Sequence, residues 1–370
     1  MSKTQETVLE IHLDALAHNY HFLTSKLKPR TKVMGVVKAF GYGSDACEIA
    51  KELEQLGIDY FAVAYTKEGI ALRDAGITLP ILVLHPQPIH FDSLIDRCLE
   101  PALYSARIMK AFIEVAERKQ QKDYPVHIKF NTGLNRLGFW ENDTSWIEDR
   151  LSETKAVKVK SLFSHLAASE DMDEKAFTLH QIASFKNIAV DMTSRLGYAP
   201  LLHQSNTSAI LNYPEAQFDV VRTGIGLYGY GNSEAYNAQL RPVATLKSII
   251  SQIHMIEPGE TVGYNRAFKA PHFAKTATIP IGHADGISRK LGNGVGHILV
   301  NGQKAPIIGN VCMDMLMIDI TGIDCKEGDG VIVIGTLQPA NELAEAMGSI
   351  SYEVLTAISQ RVKRVVYRKR

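Results

Sequence analysis

The sequence predicts an α/β chain: a (β/α)8 TIM barrel followed by a mostly β C-terminal domain. Three observations carry that prediction. Eight short apolar segments alternate with helix-like stretches before about residue 230, several of them close on a polar residue, and the texture turns strand-rich after Tyr230. Alternating strands and helices make a parallel sheet, and eight such units close a barrel. A doubly wound open sheet would use the same alternation.

Asp14 reads as an N-cap, and Leu16, Tyr20, Leu23 and Leu27 follow at helical spacing until Pro29 stops the pattern. The run Val33-Met34-Gly35-Val36-Val37, ending at Lys38, reads as a strand buried on both faces. A second helix is expected from about Ala46 to Leu56, before Gly57. Further strands are expected at Tyr60 to Tyr65, Ile81 to His85, around Leu103, Val126 to Phe130, Val159 to His165, Leu201 to His203, and Phe218 to Arg222.

Six polar residues stand at these strand ends: Lys38, His85, Lys129, His165, His203 and Arg222. Barrel strands converge at their C-terminal ends on one mouth, where reactive groups collect. A barrel therefore gathers these side chains in one place, whereas an open sheet would scatter them.

Residues 231–237 read as a linker. Beyond them lie strand-like segments at Leu246 to Ile253, Thr276 to Ile281, His297 to Val300, Pro306 to Gly309, Met315 to Ile320 and Val331 to Gly335. Turn residues such as Asn301-Gly302 separate them. Helical spacing begins at Asn341, and Val365 to Tyr367 reads as a last strand. The expected division is a barrel domain over 8–236 and a β-rich domain over 237–370.

Composition narrows the function. Of 370 residues, 45% are hydrophobic and 22% charged, which excludes a disordered chain. Forty basic residues balance forty acidic ones, so there is no polyelectrolyte reason to expect a nucleic-acid partner. The four cysteines form no C-x-x-C pair, and His18 and His21 have no supporting carboxylate spacing, so no metal site is expected. The polar start and the lack of a long apolar run predict a cytoplasmic protein with no membrane segment.

A lysine closing an apolar strand is costly unless it has a partner or a task. Desolvation lowers its pKa and suits it to forming an imine with an aldehyde, although a lysine snorkelling to solvent is the plainer reading. Gly41 and Gly43 flank Tyr42 and permit a close backbone approach to a ligand. Arg222-Thr223-Gly224-Ile225-Gly226 could turn amides toward an anion, with hydroxyls from Ser205, Thr207 and Ser208. A lysine at strand one with an anion cradle at strands seven and eight meets the needs of pyridoxal phosphate.

The run Val37-Lys38-Ala39-Phe40-Gly41-Tyr42-Gly43 resembles the cofactor-lysine motif of alanine racemases. Lys129 to Gly138, Ser164-His165, His203 to Ser208, Arg222 to Gly229, Gly263-Tyr264, Gly282 to Gly286 and Cys312-Met313-Asp314 match family segments in the same order. The resemblance therefore covers almost the whole chain. It implies a pyridoxal 5'-phosphate enzyme that interconverts L- and D-alanine, supplies D-alanine for peptidoglycan, and works as a head-to-tail homodimer with shared sites.

By similarity Lys38 would hold the cofactor covalently, while Tyr42, Thr207, Gly224, Ile225 and Tyr352 would hold its phosphate. Arg136 would meet the phenolic oxygen and the substrate, and His165 would pack by the ring. Arg222, backed by His203, would face the pyridine nitrogen. Tyr264, Met313 and Asp314 of a second copy would close the site, the last two against substrate. Lys129 stands where many family members carry a carbamylated lysine. That change would turn an amine repelling Arg136 into an anion.

Racemisation takes a proton from one face of Cα and returns one to the other, so it needs two bases on opposite faces. Lys38 and Tyr264 are the candidates. A free tyrosine ionises near pH ~10, so its use as a base requires cationic neighbours. Read without the resemblance, Tyr264 is a turn tyrosine, Arg136 a partner for a carboxylate, and Met313 a core filler.

The chain departs from the family pattern at several positions. Asn131 replaces a usual aspartate, Thr223 a proline, Asn310 an arginine and Met315 a glutamine. His283 stands where a tyrosine normally narrows the entrance, adding a group that titrates near neutral pH. The rival readings are a racemase of broader range that accepts serine, a decarboxylase of related fold, and a non-catalytic pyridoxal-phosphate barrel. The last of these lacks a C-terminal β domain.

Overall fold

A computed structural model describes residues 5–231 and 233–368; residues 1–4 of the polar start, Asn232 of the expected linker, and residues 369–370 lie outside them. Strand β1 (Val8–His12) runs without a loop into helix α1 (Leu13–Thr24). The helix is therefore capped by His12, and Asp14 sits in its first turn, where a carboxylate complements the helix dipole. Leu16, Tyr20 and Leu23 form its buried stripe, while Leu27 lies past its end.

The barrel closes through β2 (Lys32–Val36), β3 (Tyr60–Val63), β4 (Ile81–Val83), β5 (Glu100–Leu103), β6 (Tyr124–Lys129), β7 (Val157–Phe163), β8 (Leu201–His203) and β9 (Val220–Thr223). All pair in parallel, and β9 returns to β2 with Arg222 opposite Met34. The expected strands are present with shifted ends. Ladder pairing stops at Val36, Val83 and Phe163, so Lys38, His85 and His165 stand just beyond their strands. The apolar pattern continues past the last paired residue because Val37 stays buried after the chain leaves the ladder.

The second sheet has nine strands in the order β11 (Gln252–Ile256), β14 (Ala274–Ile279), β17 (Leu316–Asp319), β16 (Gln303–Ile308), β15 (His297–Val300), β18 (Gly330–Ile334), β10 (Ala244–Ile249), β1 and β19 (Lys363–Tyr367), while β12 (Thr261–Val262) and β13 (Phe268–Lys269) pair with each other. The expected single strand from Leu246 to Ile253 is two, β10 (Ala244–Ile249) and β11 (Gln252–Ile256), because the chain turns at Ile250-Ser251. β10 pairs with β1 and β18, and β11 pairs with β14. Residues 8–12, placed with the barrel in the division at 236, are hydrogen-bonded into this sheet: β1 lies antiparallel to β10 and parallel to β19 (Lys363–Tyr367). The short helix Glu234–Asn237 lies within the expected linker.

One hydrophobic core runs through barrel and sheet. Buried Asn19 clasps the crossing between them, donating to Leu227 O and Arg241 O and accepting from Arg241 N–H. A second clasp lies at the barrel mouth, where Arg364 donates to the carbonyls of Gly43, Ser44, Ile358 and Val362. Gly43 has φ +80°, and a Cβ there would lie 2.0 Å from Leu355 O. Backbone meets backbone at that point, so a side chain is excluded both by space and by conformation. Gly43→Ala is expected to lower stability by about 2 kcal/mol or more, read as a lower urea midpoint at unchanged slope. An unchanged midpoint would show that the two halves are not in contact there.

Candidate active site

Lys38 opens a turn with an unusual backbone. Ala39, Phe40, Gly41 and Tyr42 all have positive φ, between 52° and 64°. Left-handed conformation costs about 1–2 kcal/mol per non-glycine residue, so the surroundings must impose it. Glu68 does so: one carboxylate oxygen accepts from Ala39 N–H at 2.7 Å, and the other accepts from Ala64 N–H at 2.7 Å and Tyr65 N–H at 3.0 Å. Glu68 thereby ties the turn after β2 to the end of β3.

The turn aims Lys38 into a cavity of about 640 Å³ at the barrel mouth. Ten residues singled out by sequence share its wall: Lys38, Tyr42, Lys129, Arg136, His165, Thr207, Arg222, Gly224, Ile225 and Tyr352. His85 lines it too, while His203 lies one step behind Arg222. Four of the lining groups are cationic side chains, and none is a carboxylate.

That imbalance governs the electrostatics. Burial, reinforced by Arg136 and opposed by Glu68, lowers the Lys38 amine. Burial and the charges of Arg136, Arg222 and Lys38 pull Lys129 down to about 8. Burial and Arg222 hold the His165 and His203 imidazoles well below their ordinary value, so both are neutral at pH 7. Arg222 is lowered to about 9 by burial and remains a cation. It donates to His203 Nδ1 at 2.6 Å, His165 Nδ1 at 3.0 Å, and the carbonyls of Ser164 and Gln204. The Phe163 ring lies 5.5 Å from the Arg222 guanidinium and 5.8 Å from the Lys129 amine, a π face that both cations share.

Opposite the lysines, Thr207 Oγ1 lies 3.2 Å from Gly224 N and 3.3 Å from Gly226 N. A Cβ on Gly224 would fall 2.2 Å from the Tyr42 hydroxyl, so glycine lets that phenol reach the backbone. Tyr42 is buried against Tyr228 and stands 5.8 Å from the Tyr352 ring. Burial raises the Tyr42 hydroxyl and pushes Tyr352 up to about 12, so both remain O–H donors. Hydroxyls and the backbone turn at Gly224-Ile225 line the cavity together and can make a cradle for an anion.

Tyr264, Met313 and Asp314 lie outside this cavity. Tyr264 is 73% exposed and Met313 is 59% exposed on the second half of the molecule. Their loops are nonetheless well held. Asn310 donates to Tyr264 O at 3.1 Å, and His283 and Ala284 N–H donate to the carbonyls of Cys312 and Met313. Arg361 bridges the exposed carboxylate of Asp314 and the buried carboxylate of Asp285, each at 2.7 Å.

Alanine racemase models match the chain in two blocks, the N-terminal domain over residues 11–232 and the C-terminal domain over 243–366. The chain belongs to the alanine racemase family. An alanine racemase of Clostridium perfringens is 38% identical over 97% of this chain and 95% of its own length. The solved alanine racemase of Clostridium difficile 630 superposes with a TM-score of 0.91 at 35% identity, over 98% of this chain and 96% of that one. That of Bartonella henselae, described with covalently bound pyridoxal phosphate, gives 0.89 at 29% identity over 98% and 100%. The family consists of isomerases.

Several residues that build this cavity and its supports escape sequence reading. Glu68 is the third residue of its helix, a capping position that could have flagged it. Arg361 and Arg364 carry no local pattern, and Asp285 and Asp314, bound by the first, and Gly43 and Ser44, bound by the second, are remote in sequence. Glu100, His127 and Ser161 are buried polar residues within barrel strands, hidden inside otherwise apolar runs.

Lys129 yields a stability test. Its amine ionises at about 8 when folded against 10.5 ordinarily, so the unfolded chain binds more protons within that window. Stability must therefore rise with pH between those values. Ligand-free Lys129→Met is expected to be more stable than the parent at pH 7 by on the order of 2 kcal/mol, converging toward it above pH 10. Urea titrations at both pH values check this, and a variant less stable at pH 7 contradicts it.

Proposed function

We propose that this chain interconverts L- and D-alanine with pyridoxal 5'-phosphate as cofactor, using Lys38 and the Tyr264 of a second copy as its two bases. Family membership supports the reaction. The observation that supports the cofactor is the cavity wall, with four cations, no carboxylate, and a hydroxyl-and-amide cradle facing an amine. These residues fit the group's phosphate, its aldehyde and its phenolic oxygen. When bound, pyridoxal phosphate supplies an aldehyde that captures amines and a ring that draws electrons from Cα.

The protein's own groups do the rest. Tyr42, Tyr352, Thr207 and the turn at Gly224-Ile225 would hold the phosphate, and Arg136 would meet the phenolic oxygen and the substrate. His165 would pack by the ring. Arg222, fixed by His203, would present a cation rather than a carboxylate to the pyridine nitrogen, restraining electron withdrawal and limiting transamination. Lys38, its affinity for protons reduced by burial, takes or returns a proton at Nζ on one face.

Within one chain Tyr264 lies exposed and away from the cavity that holds Lys38. A head-to-tail homodimer would bring Tyr264, Met313 and Asp314 of each copy to the other's site, with Met313 and Asp314 bounding the substrate. The buried, cation-rich position of Lys129 favours carbamylation, which would neutralise its repulsion toward Arg136. No helix among the described residues is long and apolar enough to cross a membrane, and the four cysteines are free. We place the enzyme in the cytoplasm, where it would supply D-alanine for peptidoglycan.

Lys38→Ala is expected to lose the cofactor's protein-bound absorbance band and about 10³-fold or more of the activity, followed as solvent deuterium entering Cα of alanine. A variant retaining both removes Lys38 from its role. Mixing Lys38→Ala with Tyr264→Phe tests the shared site. Half of randomly paired dimers are mixed, and each of those carries one intact and one doubly altered site. Activity should therefore recover to about a quarter of the parent level. Recovery no greater than that of the two variants alone means that the bases come from one chain.

A further inference from the structure

Behind Arg222 a line of buried polar side chains crosses the barrel interior, one from each of five successive strands. Arg222 Nη1 lies 2.6 Å from His203 Nδ1, and His203 Nε2 lies 2.9 Å from Ser161 Oγ. Ser161 Oγ lies 2.6 Å from His127 Nδ1, and His127 Nε2 lies 2.7 Å from Glu100 Oε2. Tyr60 donates its hydroxyl to that same carboxylate oxygen. Glu100, His127, Ser161, His203 and Arg222 belong to β5, β6, β7, β8 and β9, and all are buried. Neither the cavity wall nor the two candidate bases requires Glu100, His127 or Ser161.

The protons in this line can be placed by elimination. A guanidinium only donates, so His203 Nδ1 accepts and the ring proton of neutral His203 sits on Nε2. Ser161 Oγ accepts that N–H, which turns its own hydrogen toward His127 Nδ1. His127 then carries its proton on Nε2 and donates to Glu100. An ionised carboxylate only accepts, so the far end enforces the same direction as the near end. A protonated His127 would donate from both nitrogens and leave the Ser161 hydrogen without an acceptor, a costly state in a dry interior. The Tyr60 hydroxyl and the His127 ring N–H both donate to the Glu100 carboxylate, which favours its ionised form.

We infer that Glu100, His127 and Ser161 are positioning residues that hold His203 as its Nε2–H tautomer and thereby orient Arg222 at the cavity wall. Glu100 sets the polarity of the line, His127 and Ser161 transmit it, and His203 meets Arg222 with a lone pair. The effect on catalysis rests on the proposed role of Arg222 toward the cofactor. The order of protons does not, because it follows from the protein alone.

The test has two readouts. In full-length protein with ¹⁵N-labelled histidine rings at pH 7, without and with pyridoxal phosphate, His127 and His203 should both appear as neutral Nε2–H tautomers. Substitution of each histidine assigns its signals. An Nδ1–H tautomer or an imidazolium at either position overturns the inference, whether or not the protein racemises alanine. In Ser161→Ala the His203 ring signals should shift and kcat should fall about tenfold with KM within twofold, while Ser161→Thr, which keeps the hydroxyl, should restore both. Unchanged His203 signals and kcat in a folded Ser161→Ala would also overturn it. Should that variant fail to fold, the parent spectrum decides alone. Correct tautomers in a protein without racemase activity would leave the relay standing and remove the proposed function.

Discussion

Four cationic side chains share one cavity wall with no carboxylate among them, and much of the molecule is arranged around that repulsion. Each cation loses hydration on burial and raises the cost of the others. The barrel tolerates the arrangement through neutral partners. Phe163 lends its π face to Lys129 and Arg222, two imidazoles are kept uncharged, and carbonyls at the ends of β7 and β8 absorb the Arg222 donors. Glu68 supplies the nearest opposing charge to Lys38, but it is occupied by three backbone amides. The remaining imbalance is left for an anionic ligand to neutralise.

The same demand explains why the turn that carries Lys38 is braced on two sides. A lysine that must meet a ligand at one atom cannot sit on a mobile loop. The left-handed turn after β2 is braced from the barrel side by Glu68 and from the sheet side by Arg364, which also binds the carbonyls of Gly43 and Ser44. Strain in three non-glycine residues is thus held between two independent clamps. The sheet contributes more than a lid, since β1 precedes the first barrel helix while β19 pairs with it at the other end of the chain. Barrel and sheet therefore fold as parts of one core, and the loops bearing Tyr264 and Met313 are held by that sheet while facing solvent.

Much of this was legible in the sequence, and the boundary of legibility has physical causes. The barrel strands could be read because parallel strands buried on both faces are short apolar runs, and the six polar residues at their ends pointed to one mouth. Lys38, Arg222 and the Thr207 to Ile225 cradle could be read because their residue types are out of place in apolar or loop settings. Strand ends were misplaced wherever burial outlasts pairing, as at Val37. The N-cap at Asp14 was misplaced because β1 leads straight into α1, leaving no loop for a capping side chain. Sheet membership of residues 8–12 depends on partners more than 230 positions away, and local pattern carries no trace of them. Glu100, His127 and Arg361 were invisible for the same reason: each is meaningful only beside residues that the fold brings to it.

Whether the barrel mouth is built for an anion is decided by calorimetric unfolding of the ligand-free protein. Pyridoxal phosphate, pyridoxal and inorganic phosphate would be compared on Lys38→Met, in which no covalent link can form. Pyridoxal phosphate should raise the unfolding temperature strongly, phosphate weakly, and pyridoxal, which lacks the dianion, hardly at all. Equal stabilisation by pyridoxal and pyridoxal phosphate would contradict it.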